Sequence, residues 1–336
     1  MLSTLALKYC HQILYDPKFS IRKEFKFKKL PIIVRMLIIQ LMDPAERLQY
    51  KKGTLIGNTA MAINKISNIF NMNGLGIQFV AATPSLEFVN KLFSNDTFKT
   101  SWNKITLDGC VFNAEIVNFF LNMADGRKEV QIFNSDMPLD FKHENAFKFQ
   151  TNDYDDARWV TLSDMLNIKG VENVTLDKTK LTSDEVRHFI DSWINCPDDM
   201  FLWMKIRAME IVQLEGLFNE LVVLEHDMNP FNIVYSTLAK STSRAYKLLL
   251  IQHSLGAVGL SAWKPYDNAA RSGNIQEKYK NVYEIMELLE KEKTLEKEFE
   301  ETTDATKQRE YRDQIQKLER KIHELGVVYR DGRATI

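Results

Sequence analysis

Acidic side chains gather most densely at Asp153-Tyr154-Asp155-Asp156. Carboxylates that converge on one point can run acid–base chemistry or hold a divalent cation. Here the acids are near neighbours in sequence, so their side chains diverge, and no second cluster stands ready to complete a site. The expectation is a solvated loop. Gly74-Leu75-Gly76 lacks the third glycine and the opening helix of a phosphate cradle. Ser254-Leu255-Gly256-Ala257-Val258-Gly259-Leu260-Ser261 has the wrong order for a nucleophile elbow. The three cysteines, Cys10, Cys110 and Cys196, are odd in number and far apart, which suits neither a disulfide framework nor a zinc site. The six histidines are equally scattered, and His188 lies beside an apolar helix face, as a surface or hydrogen-bonded histidine would. Asp108 and Asp177, each just after a strand-like run, read as turn formers. The residues therefore predict no catalytic set, no metal ligands and no cofactor, and a chain that is not an enzyme.

Lysine and arginine total 44 against 45 aspartate and glutamate, a formal charge of −1. Such a balance gives no electrostatic footprint for nucleic acid or an anionic membrane. The opening residues lack the charged start of a signal peptide. Leu30–Met42 is too short to span a bilayer and carries Arg35 near its middle. The expectation is a soluble protein of a reducing, intracellular compartment, cytoplasmic or nuclear, with no membrane contact.

The elements that would position any site fall into four stretches. Residues 1–28 form an N-terminal segment that runs into the basic Arg22–Lys29. Residues 29–70 form a small helical module. In it, apolar residues at 30, 33, 34, 37, 38 and 41 share a helix face. Pro31 suits its first turn, and Asp43-Pro44 ends it. A further helix is expected over 59–70.

Residues 75–265 alternate strand and helix, which argues for a parallel sheet backed by helices. Strands are expected near 76–81, 103–107, 129–133, 172–176 and 202–206. Helices are expected at 84–93, with Pro84 in the first turn, and at 113–123, 159–168, 183–194 and 212–221. The step of roughly thirty residues lies in the range of leucine-rich repeats. Residues 105–121 and 174–190 align without a gap, matching Thr106 to Thr175, Leu107 to Leu176, Asp108 to Asp177, Val117 to Val186 and Phe120 to Phe189. One such unit cannot cover its own apolar face, so it needs a neighbour of the same shape. Leu107, Phe120, Leu176, Phe189 and Trp193 are the expected structural core of the repeat. Strands at 232–236, 246–254 and 257–263 would add an antiparallel edge.

Residues 275–330 are charged and helical, with Val282, Ile285, Leu289, Ile315, Leu318, Ile322 and Leu325 at the spacing of a coiled-coil seam. Asp304 offers an N-cap and Gly326 a C-terminal stop. The pair either folds on itself or offers a coiled-coil surface over 280–326 to a partner.

The segment Lys29–Leu48 resembles the first half of an F-box, as written in the large nematode F-box families. Leu30, Pro31, Val34, Ile38, Leu41, Met42, Asp43, Pro44, Glu46 and Leu48 occupy that pattern. Downstream, Trp159–Leu166, Val174–Leu176, Lys180–Ile194 and Leu202–Ile206 look like the type-2 F-box-associated domain. The resemblance implies a substrate-recognition subunit of an SCF-type E3 ubiquitin ligase. Leu30, Pro31, Val34, Ile38, Leu41, Pro44 and Leu48 would then bind a Skp-type adaptor within a cullin complex, while the repeat domain holds an unidentified protein substrate. After Leu48 the chain departs from the family's Leu-Ser-rich continuation. A non-catalytic interaction or decoy protein with a decayed F-box therefore stays open. The expected fold class is α/β: an F-box-like helical module, an irregular leucine-rich-repeat-like domain with parallel strands, and a coiled-coil-like helical extension.

Overall fold

The computed structural model describes residues 54–69, 74–214, 221–229, 232–254, 256–265, 281–330 and 332–336. The protein is mixed α/β, and it divides into two compact units, Met1–Trp159 and Val160–Ile336.

The first unit opens with helix α1 (Leu55–Ile69), which begins four residues before the helix expected from sequence. Strand β1 (Leu75–Val80) follows, then α2 (Leu86–Phe93), α3 (Asp96–Ser101), β2 (Trp102–Asp108), α4 (Ala114–Leu121), β3 (Glu129–Phe133) and β4 (Thr151–Tyr154). The four strands pair in sequence order, all parallel. Alternation sorts their side chains: Ile77, Phe79, Ile105, Leu107, Val130 and Ile132 are buried on the helix side. Phe93 meets Trp102 and Phe120 edge-on there, at 6.0 and 5.9 Å between centroids. Asparagine and serine cap these short helices: Ser85 accepts the Phe88 N–H and Asn113 the Ile116 N–H. Pro84 therefore precedes the cap of α2 instead of sitting in its first turn.

A backbone feature recurs at the strand exits. Ala81, Gly109 and Asn134 directly follow β1, β2 and β3, and all three take positive φ (55°, 63° and 49°). The turns after β1 and β2 keep the ladder going one residue past the strand: the Ala81 N–H donates to the Asp108 carbonyl and the Gly109 N–H to the Phe133 carbonyl. Left-handed backbone is free for glycine and costs other residues roughly 1–2 kcal/mol.

Strand β4 was not expected from sequence, because Thr151-Asn152-Asp153-Tyr154 carries no apolar run. Its inward groups are instead satisfied by local bonds. Asn152 Nδ2 donates to the Phe149 carbonyl at 2.8 Å, and Tyr154 Oη to that of Ala146 at 2.6 Å. The solvated loop expected at 153–156 is corrected accordingly: Tyr154 and Asp156 are buried.

The second unit holds α5 (Leu162–Leu166), β5 (Val171–Thr179), α6 (Ser183–Asn195), β6 (Phe201–Ala208), β7 (Leu224–Asn229), β8 (Asn232–Leu238), β9 (Leu248–Ser254) and β10 (Ala257–Trp263). Helices α7 (Val282–Glu301) and α8 (Ala305–Glu324) and strands β11 (Val328–Arg330) and β12 (Arg333–Thr335) complete it. Strand order is β5-β6-β10-β9-β8-β7-β12-β11. β5 and β6 are parallel, and β10 turns the sheet antiparallel by pairing with β6. The next neighbour of β6 in space is thus the last strand of the meander. Val174, Met204, Leu260, Ile251 and Tyr235 lie in register across five strands, all buried. Helix α6 starts with a capping box between Thr182 and Glu185 and buries Val186, Phe189, Ile190, Trp193 and Ile194. Each such side chain contributes about 1.5–3 kcal/mol before ordering entropy is charged. Lys178, the residue that the repeat aligns with Gly109, also takes positive φ (54°). Thr182 likewise aligns with the cap Asn113, so the two units share backbone turns as well as side chains.

One expectation for this unit is corrected. Val212–Leu214 is not helical. Val212 and Leu214 are both buried, the i, i+2 pattern of extended chain, and the rest of the expected helix, 215–220, lies outside the described residues. The chain then supplies β7, which carries Glu, His, Asp and Asn and so lacks a strand's apolar signature.

Helices α7 and α8 form a hairpin, capped at Asp304 and stopped at Gly326 with φ +90°. Val282, Ile285, Met286, Leu289 and Ile322 pack with Leu224 of β7, Leu248 of β9 and Ala334 of β12. The seam residues are thus spent largely on the protein's own sheet, on the face opposite the Val174 row.

Trp193 is fully buried, with the Arg244 guanidinium 3.8 Å from its ring centroid. Arg244, also buried, donates to the Trp193 carbonyl and closes the C-terminal end of α6. Trp193→Ala should cost about 3–5 kcal/mol, read from denaturant midpoints. At the strand exits the sign reverses. Ala81→Gly should stabilise by about 0.5–1 kcal/mol, because the left-handed penalty of about 1–2 kcal/mol exceeds the added unfolded-chain entropy of about 0.4–1 kcal/mol. A destabilised Ala81→Gly would contradict the turn geometry.

Candidate recognition surface

Strand alternation that buries one face of each sheet turns the other outward, and in the second unit α7 and α8 cover part of that outer face at β7 and β9. In the first unit, Gln78, Thr106, Gln131 and Asp153 stand side by side in register across four strands. Neighbours are about 4.8 Å apart in such a row. Thr106 Oγ1 reaches Gln131 Oε1, and Gln131 Nε2 reaches Asp153 Oδ2, both at 3.4 Å. Lys104 and Glu129 pair in the next row at 3.6 Å. At the strand exits Asn134 fastens two acids, its Nδ2 donating to Asp108 Oδ1 at 2.8 Å and its N–H to Asp155 Oδ2 at 3.2 Å. Asp108 is therefore a ladder acceptor at the end of β2, not a turn former.

Behind this rim sits Asp156, whose side chain is almost wholly buried. It accepts the Met137 N–H at 2.8 Å and two Arg158 donors at 2.6 and 2.7 Å. Burial alone would raise its carboxyl. The Arg158 side-chain bonds and the Met137 and Arg158 amides outweigh burial and hold it below the usual carboxylate range.

In the second unit the open face carries Asn173, Trp203 and Ser261 in one row, and Thr175, Lys205 and Gly259 in the next. Asp177 lies inside β5 and pairs with Lys205 at 3.6 Å and Arg207 at 3.0 Å. It too is a sheet-face ion-pair partner instead of a turn former. Trp203 remains 37% exposed among these polar groups. An accessible tryptophan beside arginine and lysine has the composition of a protein-binding hot spot. Near the start of α6, a cavity of about 240 Å³ is lined by Leu181, Thr182, Arg187, Glu210 and Ile211. The exposed Met209 and Ile211 stand in the same loop.

Leu107, Phe120, Leu176, Phe189 and Trp193 are all buried. The adaptor set, Leu30, Pro31, Val34, Ile38, Leu41, Pro44 and Leu48, lies outside the described residues. His188 is exposed on α6. Among the described residues no group of three or more His, Cys, Asp or Glu could hold a metal ion. No helix among them is long and apolar enough to cross a membrane. Sequence reasoning missed Trp203 and Asp156. Trp203 was legible in principle, since it alternates with Lys205 and Arg207 against the buried Met204 and Ile206. For Asp156 the Arg158 partner two residues on was legible, whereas its burial and its bond from Met137, nineteen residues away in sequence, were not.

Compared with known proteins, the chain matches no family profile, no curated protein and no solved structure.

The depressed Asp156 carboxyl gives a pH prediction. Its contribution is complete above the unfolded value near about 3.9 and is lost as pH falls through the lower folded value. Asp156→Asn should lower stability at neutral pH by about 1–3 kcal/mol and flatten the acid limb of an unfolding-versus-pH curve. An unchanged acid limb would remove Asp156 from that role.

Proposed function

We propose that the protein is the substrate-recognition subunit of an SCF-type E3 ubiquitin ligase, without catalytic chemistry of its own. The observation that carries the reading is an ordered pair of sequence signatures. Leu30-Pro31 through Met42-Asp43-Pro44 resembles the F-box start, and Trp159 to Ile206 resembles the F-box-associated domain that follows it in such proteins. The F-box-like module would dock on a Skp-type adaptor and through it a cullin, by laying an amphipathic helix into a groove. The reading places the chain inside the cell, in cytoplasm or nucleus.

The downstream region is read as leucine-rich-repeat-like. Support comes from the parallel strands β1, β2 and β3, which leave through a left-handed residue, from the left-handed Lys178 that aligns with Gly109, and from the aligned caps Asn113 and Thr182. Its outer sheet faces, with Trp203 the most exposed large apolar group among the described side chains of β5 to β10, would hold the protein substrate. Because Val282, Ile285, Leu289 and Ile322 are buried, a coiled-coil partner over 280–326 would have to use the outer helix faces.

The test is adaptor binding measured by calorimetry beside thermal unfolding. Pro31→Ala, Val34→Glu and Ile38→Glu should each weaken adaptor binding by about 2 kcal/mol or more, the loss expected of interface anchors, with the unfolding midpoint unchanged. Absence of adaptor and cullin binding by the parent chain would overturn the ligase reading and favour the non-catalytic interaction protein.

A further inference from the structure

Within the second unit, one carboxylate is buried without a cation. Glu292 of α7 is 7% exposed. Its one hydrogen bond comes from the Tyr329 hydroxyl of β11, which donates to Oε2 at 2.8 Å. The other titratable groups facing it are Glu296, one turn further along α7, and Glu319 of α8, both acids. Among the described residues no ion pair reaches Glu292.

The element that Tyr329 belongs to is lightly anchored. All three β11 residues are exposed, and β11 pairs only with β12 among the described strands. β12 in turn joins β7 through Ala334 opposite Leu224 and Thr335 opposite Glu225, with the Ile336 N–H adding a bond to the Glu225 carbonyl at 2.9 Å. The side-chain anchors of β11 flank it: Val327, just before β11, and Ala334 of β12 belong to the hydrophobic cluster under α7, Ile336 packs against that cluster, and Thr335 is buried.

We propose that Glu292 and Tyr329 form a proton-controlled clasp, which holds the Val328–Thr335 strand pair against α7 when Glu292 is neutral and loosens it when Glu292 is ionised. A neutral carboxylic acid can stay buried and still accept the tyrosine hydroxyl. An ionised one must sit beside two like charges, out of water, with a single donor to compensate. Lifting the strand pair relieves this, because it hydrates Glu292 at the cost of exposing Ala334 and Thr335. Burial raises the Glu292 carboxyl above its ordinary value; the Tyr329 bond opposes that rise, and Glu296 and Glu319 add to it. The closed state therefore binds the proton more tightly than the open one, so closure is favoured at low pH and weakens as pH climbs through the raised range. Opening would also free the edge of β7 that β12 occupies, and an unpaired edge can accept another strand.

Amide hydrogen exchange on the full chain tests the clasp, with protection over 327–336 compared at about pH 5 and about pH 7.5 after correction for intrinsic rates. One titrating group can change protection by at most about tenfold per pH unit, and a several-fold loss on going to the higher pH is expected. Glu292→Gln keeps an acceptor for Tyr329 and removes the charge. It should hold the low-pH protection at both pH values. Tyr329→Phe should lower protection at both. The proposal is overturned if the parent chain is equally protected at the two pH values, or if Glu292→Gln keeps the full pH dependence.

Discussion

Parallel pairing is the constraint on which the first unit and the β5–β6 pair of the second depend. A parallel strand cannot hand directly to its neighbour, so each must leave the sheet, cross a face and return in the same direction. Here the exit from β1, β2 and β3 is made by one residue in the left-handed region, at Ala81, Gly109 and Asn134, and Lys178 takes the same conformation just inside the end of β5. At Ala81 and Gly109 the N–H of that residue extends the ladder while the chain turns toward the helix side. Everything after the turn follows from this placement. A cap residue, Ser85, Asn113 or Thr182, starts a helix a few residues on, and that helix covers the apolar row the strand has just laid down.

The two faces that result have opposite physical characters. On the helix side burial is nearly complete; some buried polar atoms, such as the Trp102 and Trp159 indole N–H groups, find no hydrogen-bond partner among the described residues, while others are served by geometry. Arg244 is the clearest case, its charge resting on the Trp193 ring, bonded to the carbonyl of the same residue and set near Asp199. On the open side, rows of amide, hydroxyl and carboxylate groups face solvent in register, with Trp203 as the exposed aromatic in β6. A surface of this kind offers many hydrogen-bonding positions.

The C-terminal hairpin shows how one apolar stripe can serve two architectures. Spacing of 3 and 4 along α7 and α8 fits an intermolecular seam as well as an internal one. The choice is made by Leu224, Leu248 and Ala334, which come from three different strands and offer that stripe an apolar floor. Glu292 lies on the same helix where the floor gives way to the β11–β12 strand pair, and there burial meets a charge.

The sequence by itself determined what short-range physics controls. Thr182 with Glu185, Asp304 and Gly326 mark helix ends through bonds spanning only a few residues, and they were legible for that reason. The apolar periods of Ile77–Phe79, Ile105–Leu107 and Val174–Leu176 likewise announced strands, and the alignment of 105–121 with 174–190 announced repeated turns. Tertiary structure alone decided the rest. β4 and β7 lack an apolar signature and exist because neighbouring strands offer them a ladder. β6 takes β10 as its second partner because the meander folds back, a choice made across some fifty residues. Asp156 became buried, and Asp108 and Asp177 became rim and ion-pair groups, through partners in distant segments. Strand pairing and the burial of charge are settled by what lies across the sheet, and no local run of residues carries that information.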